Sequence, residues 1–243
     1  MAREYPPVYR CTHGEALRYG EEGLHIDSFM ENVRCARAIE QVIRDGVHET
    51  DETLSGDCAL PVLEEFGFKR TMLVLANSIR RSGCPDLLRD ETRAWGGSVF
   101  VPEDGKYNRC FTVDTAAVPL DTFVDQVRRA YRALGLFGPE HCVQDGQDYE
   151  GKVLVLSPDT LREGCWTPQN QLWYARGGFG CDPKSLGRAV YAVCLGDGEE
   201  ARWNRADFAG VLDERFLPDW ARERLEEIRG SRQERDSSPK MNL

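Results

Sequence analysis

No apolar run in the 243-residue chain approaches the roughly 18 residues needed to cross a bilayer. The first 20 residues mix Arg3, Glu4, Pro6, Pro7 and Arg10 without a hydrophobic signal core. The expectation is a cytoplasmic protein that contacts no membrane. Positive charge is also scarce: 31 Lys and Arg against 41 Asp and Glu leave a net charge of −10. That excludes a general field attracting nucleic acid while leaving room for a local basic strip. Close cysteine pairs are missing as well. The nine cysteines are all more than ten positions from one another, so no CxxC knuckle exists for structural zinc or for a thioredoxin-like redox pair. No metal site and no cofactor are expected, and the thiols read as reduced side chains, several of them acting as small hydrophobes.

Only four histidines are present, which limits acid–base and nucleophilic chemistry. His13 and His25 read as ordinary surface residues. Cys181 with His141 is the candidate thiol–imidazole pair, and the two are far apart in sequence. No catalytic set emerges from these residues.

What is present divides the chain in two. From Ser28, with Glu31 three positions on, a capping-box pattern opens a helix over 28–46 whose apolar residues Phe29, Val33, Ala36, Ile39 and Ile43 recur at helical spacing. A polar loop over 48–57 follows. Asp57 suits the N-cap of a short helix ending at Gly67, and helices over 70–81 and 85–95 come next, the last opened by Pro85. Gly96-Gly97 then changes the period. Val99, Val101, Cys110, Phe111 and Val113 around Pro102-Glu103-Asp104-Gly105-Lys106 predict a β-hairpin, and a helix from Asp121 to Leu134 closes the segment.

Beyond the polar stretch 144–148 the texture is β. Strands are expected over 153–156, 171–176 and 190–195, the last turning through Gly196-Asp197-Gly198 into 201–204, and a charged helix begins near Pro218. The reading is α+β: a mainly helical domain with a hairpin over 1–143, a small antiparallel barrel-like β module with a terminal helix over 149–230, and a disordered tail over 231–243. Residues 1–148 carry about 17 basic and 25 acidic side chains, so most of the negative charge belongs to the helical part.

The most unusual stretch runs Arg176-Gly177-Gly178-Phe179-Gly180-Cys181-Asp182-Pro183-Lys184-Ser185. As a phosphate loop it fails, because Pro183 stands where glycine is needed and removes a backbone donor from the cradle. A dinucleotide fingerprint fails at the same residue. Two readings remain: a tight loop between strands, or a loop that recognises a protein or nucleic-acid partner. Trp166, Trp173, Tyr174, Phe179, Tyr191 and Trp203 surround it, with Arg176, Arg188, Arg202 and Arg205 interleaved. Such side chains stack bases or anchor interfaces when exposed, and form core when not. The candidate partner-binding residues are Tyr174, Arg176, Gly177, Gly178, Phe179, Gly180, Lys184, Arg188 and Arg205.

Leu63-Glu64-Glu65-Phe66-Gly67 followed by Met72-Leu73-Val74-Leu75-Ala76-Asn77 resembles a helical domain of unknown function. The second part is similar to a small β module associated with large polyvalent proteins. It carries Leu172-Trp173, Gly177-Gly178-Phe179-Gly180, Gly187-Arg188-Ala189-Val190-Tyr191, Trp203-Asn204-Arg205-Ala206-Asp207-Phe208 and Leu217-Pro218-Asp219-Trp220-Ala221. Both resemble parts of accessory proteins of conjugative and phage-like elements in Gram-positive gut bacteria. The resemblance implies a mobile-element setting and brings no catalytic residues. It leads to the expectation of a counter-defence protein that inhibits a CRISPR or restriction effector. Its acidic helices would match a basic DNA groove. The alternatives are a single-stranded nucleic-acid binding or processing protein and a cysteine-dependent enzyme.

Overall fold

The computed structural model describes residues 5–48, 54, 56–83, 85–143 and 146–237, the stretch 231–237 by its backbone alone. The chain divides into two compact units, Met1–Ala133 and Leu134–Leu243.

The first unit is helical. Helix α1 (His13–Tyr19) is opened by a reciprocal capping box, in which Glu15 N–H donates to Thr12 Oγ1 and Thr12 N–H donates to the Glu15 carboxylate. The similar Ser28/Glu31 pattern is no cap. Helix α2 begins earlier and spans Glu22–Gly46, and the buried Ser28 hydroxyl accepts the backbone N–H of Tyr9 at 2.9 Å. Helix α3 (Ala59–Arg80) is two helical arms joined at Gly67, whose φ of 77° is open to glycine at little cost. Helices α4 (Asp90–Ser98), α5 (Gly105–Cys110) and α6 (Ala117–Ala133) complete the unit. Ile39, Val62, Val74, Leu75, Phe123 and Val124 are fully buried at the centre of its apolar cluster.

The expected hairpin around 102–106 is absent; α5 occupies the turn and its flanks form no strands. Side-chain amides supply the hydrogen bonds that a partner strand would have made. Asn108 donates to the carbonyl of Pro102 and to Asn77 Oδ1, and its own Oδ1 accepts Asp104 N–H. Asn77 in turn donates to the carbonyls of Asn108 and Phe111. Val101, Phe111 and Val113 still point inward, so their apolar spacing marked burial rather than a strand.

The second unit is one antiparallel five-stranded sheet of order β4-β3-β2-β1-β5, formed by β1 (Val153–Leu156), β2 (Leu172–Gly177), β3 (Ala189–Cys194), β4 (Glu200–Asn204) and β5 (Phe208–Val211). The expected barrel-like closure is corrected: β4 and β5 are the two edges and pair with no further strand among the described residues. A helix, not a returning strand, seals one face. Two helices punctuate the unit: the single turn α7 (Pro168–Gln171) precedes β2, and α8 (Asp219–Ser237) follows the sheet. Ala221 and Leu225 of α8 pack in one cluster with Val153, Val155, Leu172 and Tyr174. Helix α8 passes through Gly230 to Ser237, while 238–243, the rest of the expected tail, lies outside the described residues. Among the described residues no helix is long and apolar enough to cross a membrane.

Candidate functional site

Strand β2 loses its register against β3 between Ala175 and Gly177, and the chain leaves the sheet through two glycines, at φ 152° for Gly177 and 116° for Gly178. A 3-10 turn, Phe179–Cys181, then lies directly on the start of β3. A Cβ at Gly178 would stand 2.4 Å from the carbonyl oxygen of Ala189, and one at Gly180 would stand 2.4 Å from that of Arg188. Backbone is therefore packed on backbone, and only glycine allows that approach.

This seating turns Phe179 outward at 80% exposure, with Gly187 directly beneath its Cβ. Tyr191, which alternation along β3 points away from the buried Val190 and Ala192, is exposed beside Gly178. Leu186 stands at 98% exposure on the same loop. Lys184, Arg188 and Arg202 are exposed and make no ion pair among the described residues. Arg176 is paired with Glu200 at 2.6 Å. Phe179, Leu186 and Tyr191 thus stand exposed on this loop and the strand that follows it, with Lys184 and Arg188 on the same stretch and Arg202 opposite Tyr191 in register.

Two of the expected contact residues do other work. Tyr174 is buried under α8, where the guanidinium of Arg229 lies 5.7 Å from its ring centre. Arg205 turns inward onto its own chain, donating to the carbonyls of Gly180 and Cys181 at 2.9 and 2.7 Å and to that of Gln147 at 2.8 Å. Its guanidinium also sits 3.7 Å from the ring centre of Tyr149. It fixes the turn that presents Phe179 and is not itself presented. Trp166 and Trp173 are buried and Trp203 is half-buried: Trp173 meets Trp203 edge to face at 5.0 Å, and Trp166 donates its indole N–H to the Pro158 carbonyl. Tyr191, Leu186 and Arg202 join the surface although the sequence reading left them out of the contact set. The strand period was the available signal for Tyr191.

Thiol chemistry finds no support at Cys181. The side chain is buried, and desolvation, with the charges of Asp148 and Glu150, pushes the thiol up to about 11. His141 is occupied elsewhere: it accepts Gly138 N–H at Nδ1 and packs edge to face with Phe137 and Phe216. Among the described residues no group of three or more His, Cys, Asp and Glu is placed to hold a metal ion. The reading of His25 as a surface residue is wrong. It is 6% exposed, on the inner face of α2.

The family described as protein of unknown function (DUF3849) matches residues 8–132, the body of the helical unit. No curated protein matches the chain, and neither does any solved structure.

Proposed function

Since the chain belongs to the DUF3849 family of proteins of unknown function, we propose from its own surface that it is a binding protein whose contact face is the Phe179 loop of the sheet unit. The carrying observation is Phe179 at 80% exposure on a turn whose backbone is packed against β3. A solvent-facing aromatic on a loop that cannot collapse pays little ordering cost when a partner covers it.

In our reading the partner is a protein: a CRISPR or restriction effector met in the cytoplasm, with this chain as the inhibitor encoded by a mobile element. The acid excess of the helical unit supports that choice, because a nuclease's DNA groove is basic and complementary charge speeds encounter and sets register. The test is capture of purified effector nucleases by the full chain, together with a plasmid-interference assay. Relief of interference that Phe179→Ala abolishes supports the reading. No capture and no relief ends it.

A second reading has its own observation. Lys184, Arg188 and Arg202 make no ion pair among the described residues and lie on the loop and strands that carry the exposed Phe179 and Tyr191 rings, an arrangement that suits single-stranded nucleic acid. Titration of labelled oligonucleotides at two salt concentrations separates the readings, since phosphate contacts make affinity fall steeply with salt.

A further inference from the structure

The two edges of the sheet differ in kind. Along β5 a neighbouring segment already sits: Val143 N–H donates to the Val211 carbonyl at 2.9 Å, and Asp213 N–H donates to that of His141 at 2.9 Å. Cys142 bridges Leu212 between them, and a Cβ at Gly210 would stand 3.0 Å from Cys142 Cβ. Strand β4 has β3 on one side and, among the described residues, no strand on the other.

The register of β3 on β4 decides which groups face the open side. Cys194 N–H donates to the Glu199 carbonyl at 2.8 Å, and Arg205 N–H donates to that of Arg188 at 2.8 Å. Bonding alternates along an antiparallel pair, so Ala201 and Trp203 bond inward, opposite Ala192 and Val190. The backbone groups of Glu200, Arg202 and Asn204 therefore point away from β3. Asn204 agrees with this and ends the open stretch, because its N–H donates to Asp207 Oδ2 at 2.7 Å. Glu200 and Arg202 are left, both exposed and both on the Tyr191 face of the sheet.

Charged side chains on an edge normally keep other strands away. The order of charge along β4 makes one exception. A second copy of β4, laid antiparallel with Ala201 opposite Ala201, sets Glu200 against Arg202 of the other copy and Arg202 against its Glu200. These are the outward-facing residues, so the same register lets them exchange N–H and C=O groups. Sliding by two residues either way brings Glu200 onto Glu200 or Arg202 onto Arg202, and like charges directly opposite are unfavourable. Arg202 makes no ion pair among the described residues. Glu200 holds Arg176 at 2.6 Å through Oε1, and a carboxylate has room for a second donor.

We propose that β4 is a self-pairing edge: two copies of this chain join along it about a two-fold axis between their Ala201 residues, so that two sheets become one. The complementary Glu200 and Arg202 choose the register and favour the chain's own copy over a strand of other charge order. This pairing does not rest on the Phe179 loop being a contact face.

Sedimentation velocity and amide hydrogen exchange on the full chain test it. Short edge contacts bury little area, so the expected result is a monomer at micromolar concentration that dimerises reversibly towards about 0.5 mM. Over that range the amides of Glu200 and Arg202 become protected. Glu200→Arg and Arg202→Glu each weaken association by about tenfold or more, since each sets like charges opposite. Mixing the two variants restores it, because one then offers only cations at the paired positions and the other only carboxylates. Arg202→Pro, which removes an N–H that β3 does not use, abolishes it. A wild-type chain that stays monomeric over the range, or that dimerises without protecting those amides, overturns the proposal. So does a mixture of folded variants that associates no better than its parts. The wild-type measurements decide even where a variant fails to fold, and partner capture through Phe179 is scored in a separate assay.

Discussion

Two arginines, one in each unit, show how differently the halves of this protein use polar chemistry. Arg70 in the helical unit is almost completely buried. It donates to the carbonyls of Ser28, Pro6 and Pro7 and to Asn32 Oδ1. Arg205 in the sheet unit also spends its fork on carbonyls, but half in solvent and on a loop. The first closes an interior by tying the N-terminal segment to α2. The second props up an exposed turn. The same guanidinium geometry, rigid and multidentate, serves packing in one place and presentation in the other.

The contrast breaks most visibly at Arg70. Arg70→Met keeps the apolar stem and removes the fork, leaving the buried Asn32 Oδ1 without its donor and untying the N-terminal segment at Pro6 and Pro7, so it is expected to lower stability by about 3 kcal/mol. Urea unfolding followed by circular dichroism measures this. A loss below about 1 kcal/mol would mean that water replaces the fork and that the interior is less closed than described.

Next in size is the turn itself. Gly180→Ala places a methyl group 2.4 Å from the Arg188 carbonyl oxygen, a backbone atom that no rotamer change can move aside. The expected cost is about 2 kcal/mol, together with loss of partner capture, because the turn must lift from β3 and carry Phe179 with it. A variant with wild-type stability and wild-type capture would show that the seating of the turn is not what presents the ring.

Much of the sheet unit was legible in its sequence. Strand β1 lies at Val153–Leu156 as its apolar run predicts, and the turn through Gly196-Asp197-Gly198 joins β3 to β4. The reason is physical: period-two burial and turn residues are local signals, and this sheet is built mostly from neighbours in sequence. The open edges were not legible, since closure depends on which strand meets which. β5 escaped notice because Phe208–Val211 is short and contains Gly210. In the helical unit the helix end expected at Gly67 coincides with the break inside α3, whereas the hairpin expected over 102–113 is absent. Its turn residues and alternating hydrophobics fit a hairpin equally well, and what decides for α5 is Asn77, some 31 positions away. The burial of His25 was invisible for the same reason. Its partner Asp104 is 79 positions distant, and nothing near His25 in sequence announces burial. Of the loop, the glycines announced a close backbone approach, but not that Arg205 is the residue enforcing it.

The smallest expected change in stability is the one most diagnostic of function. Phe179 and Tyr191 are exposed rings with no part in the apolar cluster under α8, so replacing both with serine should alter the unfolding free energy by no more than about 0.5 kcal/mol. If the surface is a contact face, the same double variant should weaken partner affinity by about 1–3 kcal/mol per ring, whether the partner is a protein or a single strand. Chemical unfolding and a binding isotherm on the same preparation give both numbers. A stability loss as large as that of Gly180→Ala would place the rings in the fold, and the comparison between an inward and an outward unit would fail. Unchanged stability with unchanged binding would leave the fold as described and move the contact face off this loop. Unchanged stability with weakened binding is the pattern only a presented surface produces, because a packing residue cannot lose its contacts without the fold registering the loss.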